Sequence, residues 1–231
     1  LAGKSLSVVP SHKQCRETEE RLQKAGLDAA AYPKLTKGRG EYGDPDYEQP
    51  TCDNFAEAEL ALNSGLSASA AVCPTCEYSA DCDYQLQMAR ADGAAHTIST
   101  HKRASLCFAS ITKDKPYIAI HEDPSDLLRP TIDVRLDSRF RDVAQIAHAA
   151  KESVWHDMDQ RYFLGLMEEA AGMIEGQLTG ADETQSLPIP PSAKPPKNIE
   201  SRLFNAIKQT EIHTDPDALR LCKAIAAGQI E

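Results

Sequence analysis

Apolar and polar positions along this chain follow two different rhythms. In the first half, short apolar runs alternate with polar, helix-spaced stretches. Leu6-Ser-Val-Val-Pro10 mixes β-branched and apolar residues and predicts a short buried strand. Ser11 stands three positions before Gln14, a capping-box spacing, and opens a helix that runs to Ala25 and is closed by Gly26. Leu27 to Tyr32 then predicts a second strand. Strand, helix, strand in this order indicates a parallel α/β layer. Residues 33–51 are rich in Pro, Gly, Lys and Asp and predict a loop. Phe55, Ala58 and Leu62 recur at helical spacing, and Tyr84 to Arg90 predicts another short helix. Ala94 to Thr100 has strand character and ends in Thr100-His101. Tyr117-Ile118-Ala119-Ile120 is the clearest buried strand of the chain, and it runs into His121-Glu122-Asp123-Pro124.

From Asp137 the rhythm changes. Phe140, Val143, Ile146, Ala147 and Val154, then Phe163, Leu166, Met167, Ala170, Met173 and Ile174, keep helical spacing. They predict a long helical stretch with one apolar stripe, broken around Trp155 to Asp159 and ended by Gly180. Residues 181–197 contain five prolines and read as an exposed linker. Two further helices follow, Ile199 to Gln209 and one opened by Asp215 with Pro216 at its first position.

Composition narrows the picture. With 231 residues there is room for one or two domains with a real core, built mainly of Ala, Leu and Ile because only 6% of residues are aromatic. No apolar run approaches the roughly 18–20 residues of a membrane span, and no signal peptide is visible. Leu1 in place of an initiator Met suggests a piece of a longer protein. The net charge of −10 argues against a general electrostatic grip on nucleic acid, yet leaves room for a local basic groove. Two basic clusters could line one: Lys34 to Arg39, with Lys37 between them, and His101-Lys102-Arg103. The other reading of both is solvated surface charge.

The densest chemistry is in the cysteines. Cys73-Pro74-Thr75-Cys76, followed by Cys82 and preceded by Cys52, places four thiols in one stretch. A CxxC turn lets both sulfurs face one point, and Pro74 stiffens it. Such a set holds zinc or an iron–sulfur cluster, and spacing alone does not choose between them. The clustering, with an odd total of seven cysteines, fits metal ligation in a reducing, cytoplasmic setting better than a secreted disulfide framework. Cys15, Cys107 and Cys222 lie outside this stretch and read as small buried hydrophobes. The Gly3-Lys4-Ser5 triplet invites a P-loop reading, but it runs straight into a strand where a P-loop requires a helix.

Taken in order, the chain resembles the iron–sulfur DNA helicases of superfamily 2, the XPD-like and DinG-like group. The resemblance spans about residues 5–180. Val8-Val9-Pro10-Ser11-His12 is similar to the strand-end motif after Walker A, and Cys52, Cys73, Cys76 and Cys82 take the cluster positions. The stretch from Ala91-Asp92 to Thr100-His101 resembles the segment between cluster and Walker B. His121-Glu122-Asp123-Pro124 falls where Asp-Glu-Ala-His stands. The resemblance implies a partial RecA-like parallel sheet of the P-loop NTPase type with a four-cysteine insert and a helical arch. It divides the chain into motor residues 1–50, cluster insert 51–90, motor residues 91–136, arch 137–180, linker 181–197 and helical segment 198–231.

It further implies a [4Fe–4S] cluster (zinc being the alternative), ATP with Mg²⁺ in the full-length protein, single-stranded DNA as partner and no membrane. Lys37, Arg39, His101, Lys102 and Arg103 would track phosphates, and Glu122, Asp123 and His121 would form the hydrolytic site. His121 departs from the family's Asp, whose charge holds the waters around Mg²⁺, and a neutral imidazole cannot supply that charge. Either Glu122 and Asp123 shift to serve as the acidic pair, or the ATPase has degenerated. The rival to a helicase is a non-enzymatic, four-thiolate zinc module that contacts protein or nucleic acid.

Overall fold

The computed structural model describes residues 3–38, 50–104, 111–122, 134, 138–179 and 191–229. The protein is α/β, and it divides into two compact units, Leu1–Phe55 with Glu77–Thr131 and Ala56–Cys76 with Ile132–Glu231.

The first unit is built on a parallel sheet that has four strands among the described residues. These are β1 (Ser5–Val9), β2 (Ala29–Ala31), β3 (His96–Thr100) and β4 (Tyr117–Ile120), in the order β2-β3-β1-β4. Ser5 pairs with His96 on one side and Tyr117 on the other. Helix α1 (His12–Lys24) connects β1 to β2, and α4 (Asp83–Gly93) precedes β3. Strand alternation sorts the side chains between two faces. Val9, Ala29 and Ile98 pack with Cys15 of α1, while Leu6, Val8, Ala30 and Tyr32 pack with Ala91 of α4 and with Ala94. Both faces are therefore apolar, as a parallel sheet requires.

Helix α1 begins as its sequence dictates. Ser11 accepts the Gln14 backbone N–H at 3.3 Å, and Gly26 (φ 77°) follows the C-terminus. Strand β4 differs from expectation. It pairs only with β1 among the described residues, and Tyr117 and Ile118 are 51% and 41% exposed. An apolar run marks a strand that suits a sheet, but carries no signal for whether that strand lies at the centre or the edge.

The second unit is helical: α2 (Phe55–Asn63, most of it in this unit), α3 (Ala68–Ala71), α5 (Phe140–Ser153), α6 (Met158–Thr179), α7 (Ile199–Thr210) and α8 (Pro216–Ala226). The predicted long helical stretch is broken where expected. The Asp157 carboxylate accepts the Gln160 N–H at 3.0 Å and starts α6. Asp215 caps α8 by accepting the Asp217 N–H at 2.9 Å, with Pro216 at the first position. Phe140, Phe163, Met167, Leu203, Leu219 and Cys222 fill one core, to which Ala61, Leu66, Ala71 and Val72 also belong. Ser67 N–H donates to the Glu200 carboxylate at 2.7 Å, and Ser201 Oγ donates to the Ala70 carbonyl at 2.8 Å. Lys208 pairs with Glu57. The compact units thus part the chain at Phe55 and Cys76, inside the stretch 51–90, and they group residues 198–229 with α5 and α6. No described helix is long and apolar enough to cross a membrane.

Candidate functional site at the carboxyl edge of the sheet

All strands of a parallel sheet end on the same edge, so residues distant in sequence meet there. Here that edge receives Ser11-His12 after β1, Pro33-Lys34 after β2, His101 to Arg103 after β3 and His121-Glu122 after β4. His121 N–H donates to the Val8 carbonyl at 2.9 Å and prolongs the β1–β4 ladder by one residue. Glu122 then turns out of the strand with φ 67°. Its Oε1 accepts from Gln14 Nε2 at 3.2 Å, so the first turn of α1 touches the candidate glutamate. Both His121 and Glu122 are exposed. Asp123 lies outside the described residues.

The electrostatics of this edge are positive around His12. Burial comes first in lowering its pKa below the ordinary value, and the charges of Arg103, Lys34 and Arg16 add to the effect. His101 Nε2 is buried without a hydrogen-bond partner. Arg103 is committed to internal contacts. Its guanidinium donates to the Tyr84 hydroxyl at 2.8 Å and the Pro33 carbonyl at 3.3 Å, and it lies 5.1 Å from the centre of the Tyr32 ring. Tyr32 in turn bonds to Asp92. Lys37 and Lys102 are exposed, and Arg39 lies outside the described residues.

Gly3-Lys4-Ser5 leads into the amino end of β1, the opposite edge of the sheet. Lys4 Nζ is ion-paired with Asp114 at 2.6 Å, and Ser5 Oγ bonds to His96 Nδ1 at 2.7 Å. Since a P-loop follows the carboxyl end of its strand and opens a helix, this triplet does not form one.

The cysteines divide between the units. Cys52 and Cys82 belong to the first, and the Tyr84 N–H bond to the Thr51 carbonyl (3.0 Å) fastens the chain beside one to the chain beside the other. Cys73 and Cys76 belong to the second, in a 3₁₀ turn closed by the Cys76 N–H to Cys73 carbonyl bond at 3.3 Å. Four thiolates have the right donor chemistry for zinc or an iron–sulfur cluster. Among the described residues, no three His, Cys, Asp or Glu side chains converge as ligands. Cys15 and Cys222 are buried in apolar surroundings, which pushes their thiols up to about 11 and about 12. Cys107 lies outside the described residues.

Two features of the edge escaped sequence reasoning. Gln14 carried a capping signal only, and nothing local linked it to Glu122. The Tyr32, Asp92, Tyr84 and Arg103 network joins residues up to 71 positions apart, beyond any spacing rule. Comparison with family models, with curated proteins and with solved structures found no match to this chain.

Proposed function

We propose that this chain contributes the first-motor-domain sheet, the cysteine stretch and the following helices of an ATP-dependent iron–sulfur DNA helicase acting on single-stranded DNA. The observation that supports this reading is the carboxyl edge of the sheet. There a parallel β1–β4 pair sets His121-Glu122 beside the amino end of α1, the position at which α/β sheets bind ligands. In this reading Glu122 takes a proton from, and so orients, the water that attacks the terminal phosphoryl group of ATP. His121 stands where a carboxylate would balance the charge of Mg²⁺, and its imidazole weakens that part of the site.

Cys52, Cys73, Cys76 and Cys82 are the four ligands of a [4Fe–4S] cluster in this reading, with a structural role. Lys37 and Lys102, exposed and basic, are its phosphate-tracking residues, joined by Arg39 and His101.

The experiment is ATP hydrolysis by the full-length protein with Mg²⁺ and single-stranded DNA. His121→Asp is expected to raise or create DNA-stimulated hydrolysis, and Glu122→Gln to abolish it. An undiminished rate in Glu122→Gln removes the motor reading of β4. The metal is tested on the same protein. A cluster gives a brown protein with broad visible absorption, which zinc, being d¹⁰, cannot give. Cys→Ser at any of the four ligands should lose metal, and Cys15→Ser should not.

A further inference from the structure

The first turn of α1 and the end of β4 are joined by side chains through a short relay. The Ser11 hydroxyl, which caps α1 by accepting the Gln14 backbone N–H, donates to Gln14 Oε1 at 3.0 Å. With its oxygen held this way, Gln14 directs Nε2 at Glu122 Oε1, 3.2 Å away. In a standard capping box the third-position Gln side chain returns to the backbone N–H of its own cap. Here it is aimed 108 positions along the chain, at the second residue past the end of β4.

Glu122 is unusual in its own backbone. Its φ of 67° lies in the left-handed region, which costs a residue with a Cβ and persists only where its surroundings hold it. Two contacts flank it: the His121 N–H bond to the Val8 carbonyl prolongs the strand up to it, and Gln14 meets its carboxylate. A general base works through a lone pair offered to water. An amide donor on Oε1 competes for that carboxylate and sets its direction toward α1.

We propose that Gln14 is a positioning residue that holds the Glu122 carboxylate against α1 and so restrains nucleotide hydrolysis in the resting protein. The inference rests on the reading of Glu122 as the residue that orients the attacking water. Because Gln14 and its Ser11 anchor both belong to the start of α1, a change at that helix end reaches Glu122 through two hydrogen bonds. No movement of the sheet is required.

The test has two arms. The first is ATP hydrolysis by the full-length protein, with and without single-stranded DNA, for wild type, Gln14→Ala and Glu122→Gln. Gln14→Ala should raise the DNA-free rate roughly tenfold, the effect of one lost hydrogen bond to a charged group. The DNA-saturated rate should stay within about twofold, so that stimulation collapses, a split that a merely structural defect would not produce. The second arm is the side-chain amide NMR signal of Gln14. It should sit at the hydrogen-bonded position in wild type and move in Glu122→Ala.

An amide signal unmoved by Glu122→Ala overturns the proposal. So does hydrolysis that needs Glu122 yet shows an unchanged DNA-free rate in Gln14→Ala, or a fall in both rates together; the reading of Glu122 then still stands. A protein whose hydrolysis is insensitive to Glu122→Gln overturns both at once.

Discussion

Gly165, Gly172 and Gly176 lie inside α6, and a Cβ built on any of them meets no atom within 4 Å. Glycine in a helix interior costs stability because its unfolded chain has more freedom to lose. Alanine at each position is therefore expected to stabilise the protein by about 0.5–1 kcal/mol, read as a higher urea midpoint at unchanged m-value. Gly65 is the opposite case. It holds φ 80°, and a Cβ there would stand 2.3 Å from the Pro216 carbonyl oxygen, so Gly65→Ala must displace backbone and should destabilise. Cysteines separate just as clearly at this scale. Cys15 and Cys222, with their raised pKa values, stay protonated at neutral pH and fill space, as small apolar residues do.

At the scale of elements, Arg103 decides how the loop after β2, the helix α4 and the turn after β3 hold together. Its guanidinium reaches the Pro33 carbonyl, the Tyr84 hydroxyl, the Met88 sulfur and the Tyr32 ring, all in the first unit. A planar, five-donor group suits so many fixed partners, whereas an ammonium does not. Arg103→Ala should cost about 2 kcal/mol of stability, the usual size for a part-buried cation with several hydrogen bonds, and Arg103→Lys should restore little of it. Urea unfolding checks both. DNA-binding measurements on Arg103 variants must be read beside that result, and the exposed Lys37 and Lys102 offer the cleaner charge test. Lys37→Ala with Lys102→Ala should lower the salt slope of single-stranded DNA binding by about one to two if both touch phosphate.

At the scale of the molecule, the described residues form an apolar cluster on each face of the sheet and a third among the helices. Phe163 is fully buried in the helical core. Phe163→Ala removes a large side chain from close packing and should cost about 3–5 kcal/mol. If the units are separate in stability, hydrogen exchange will show lost protection in α5 to α8 while the β1 and β3 amides keep theirs. Equal loss in both would mean one cooperative structure.

Much of this organisation was legible in the residues. The Ser11 cap, Gly26, the break near Trp155, and Asp215 with Pro216 are local signals, each acting within a few positions, and each element starts or stops where they stand. Residue patterning likewise located β1 to β4 and the helices other than the short α3, because an element's period is written in its own sequence. The CxxC turn was legible for the same reason. Tertiary structure alone decided what lies next to what. Periodicity says which face is apolar but not which neighbour covers it, so β4 came out at the described edge and residues 56–76 joined the helical core. The pairing of Gln14 with Glu122 and the sockets around Arg103 depend on strand order. Strand order brings residues 70 to 108 positions apart to one edge, a juxtaposition that no local pattern of residue types encodes.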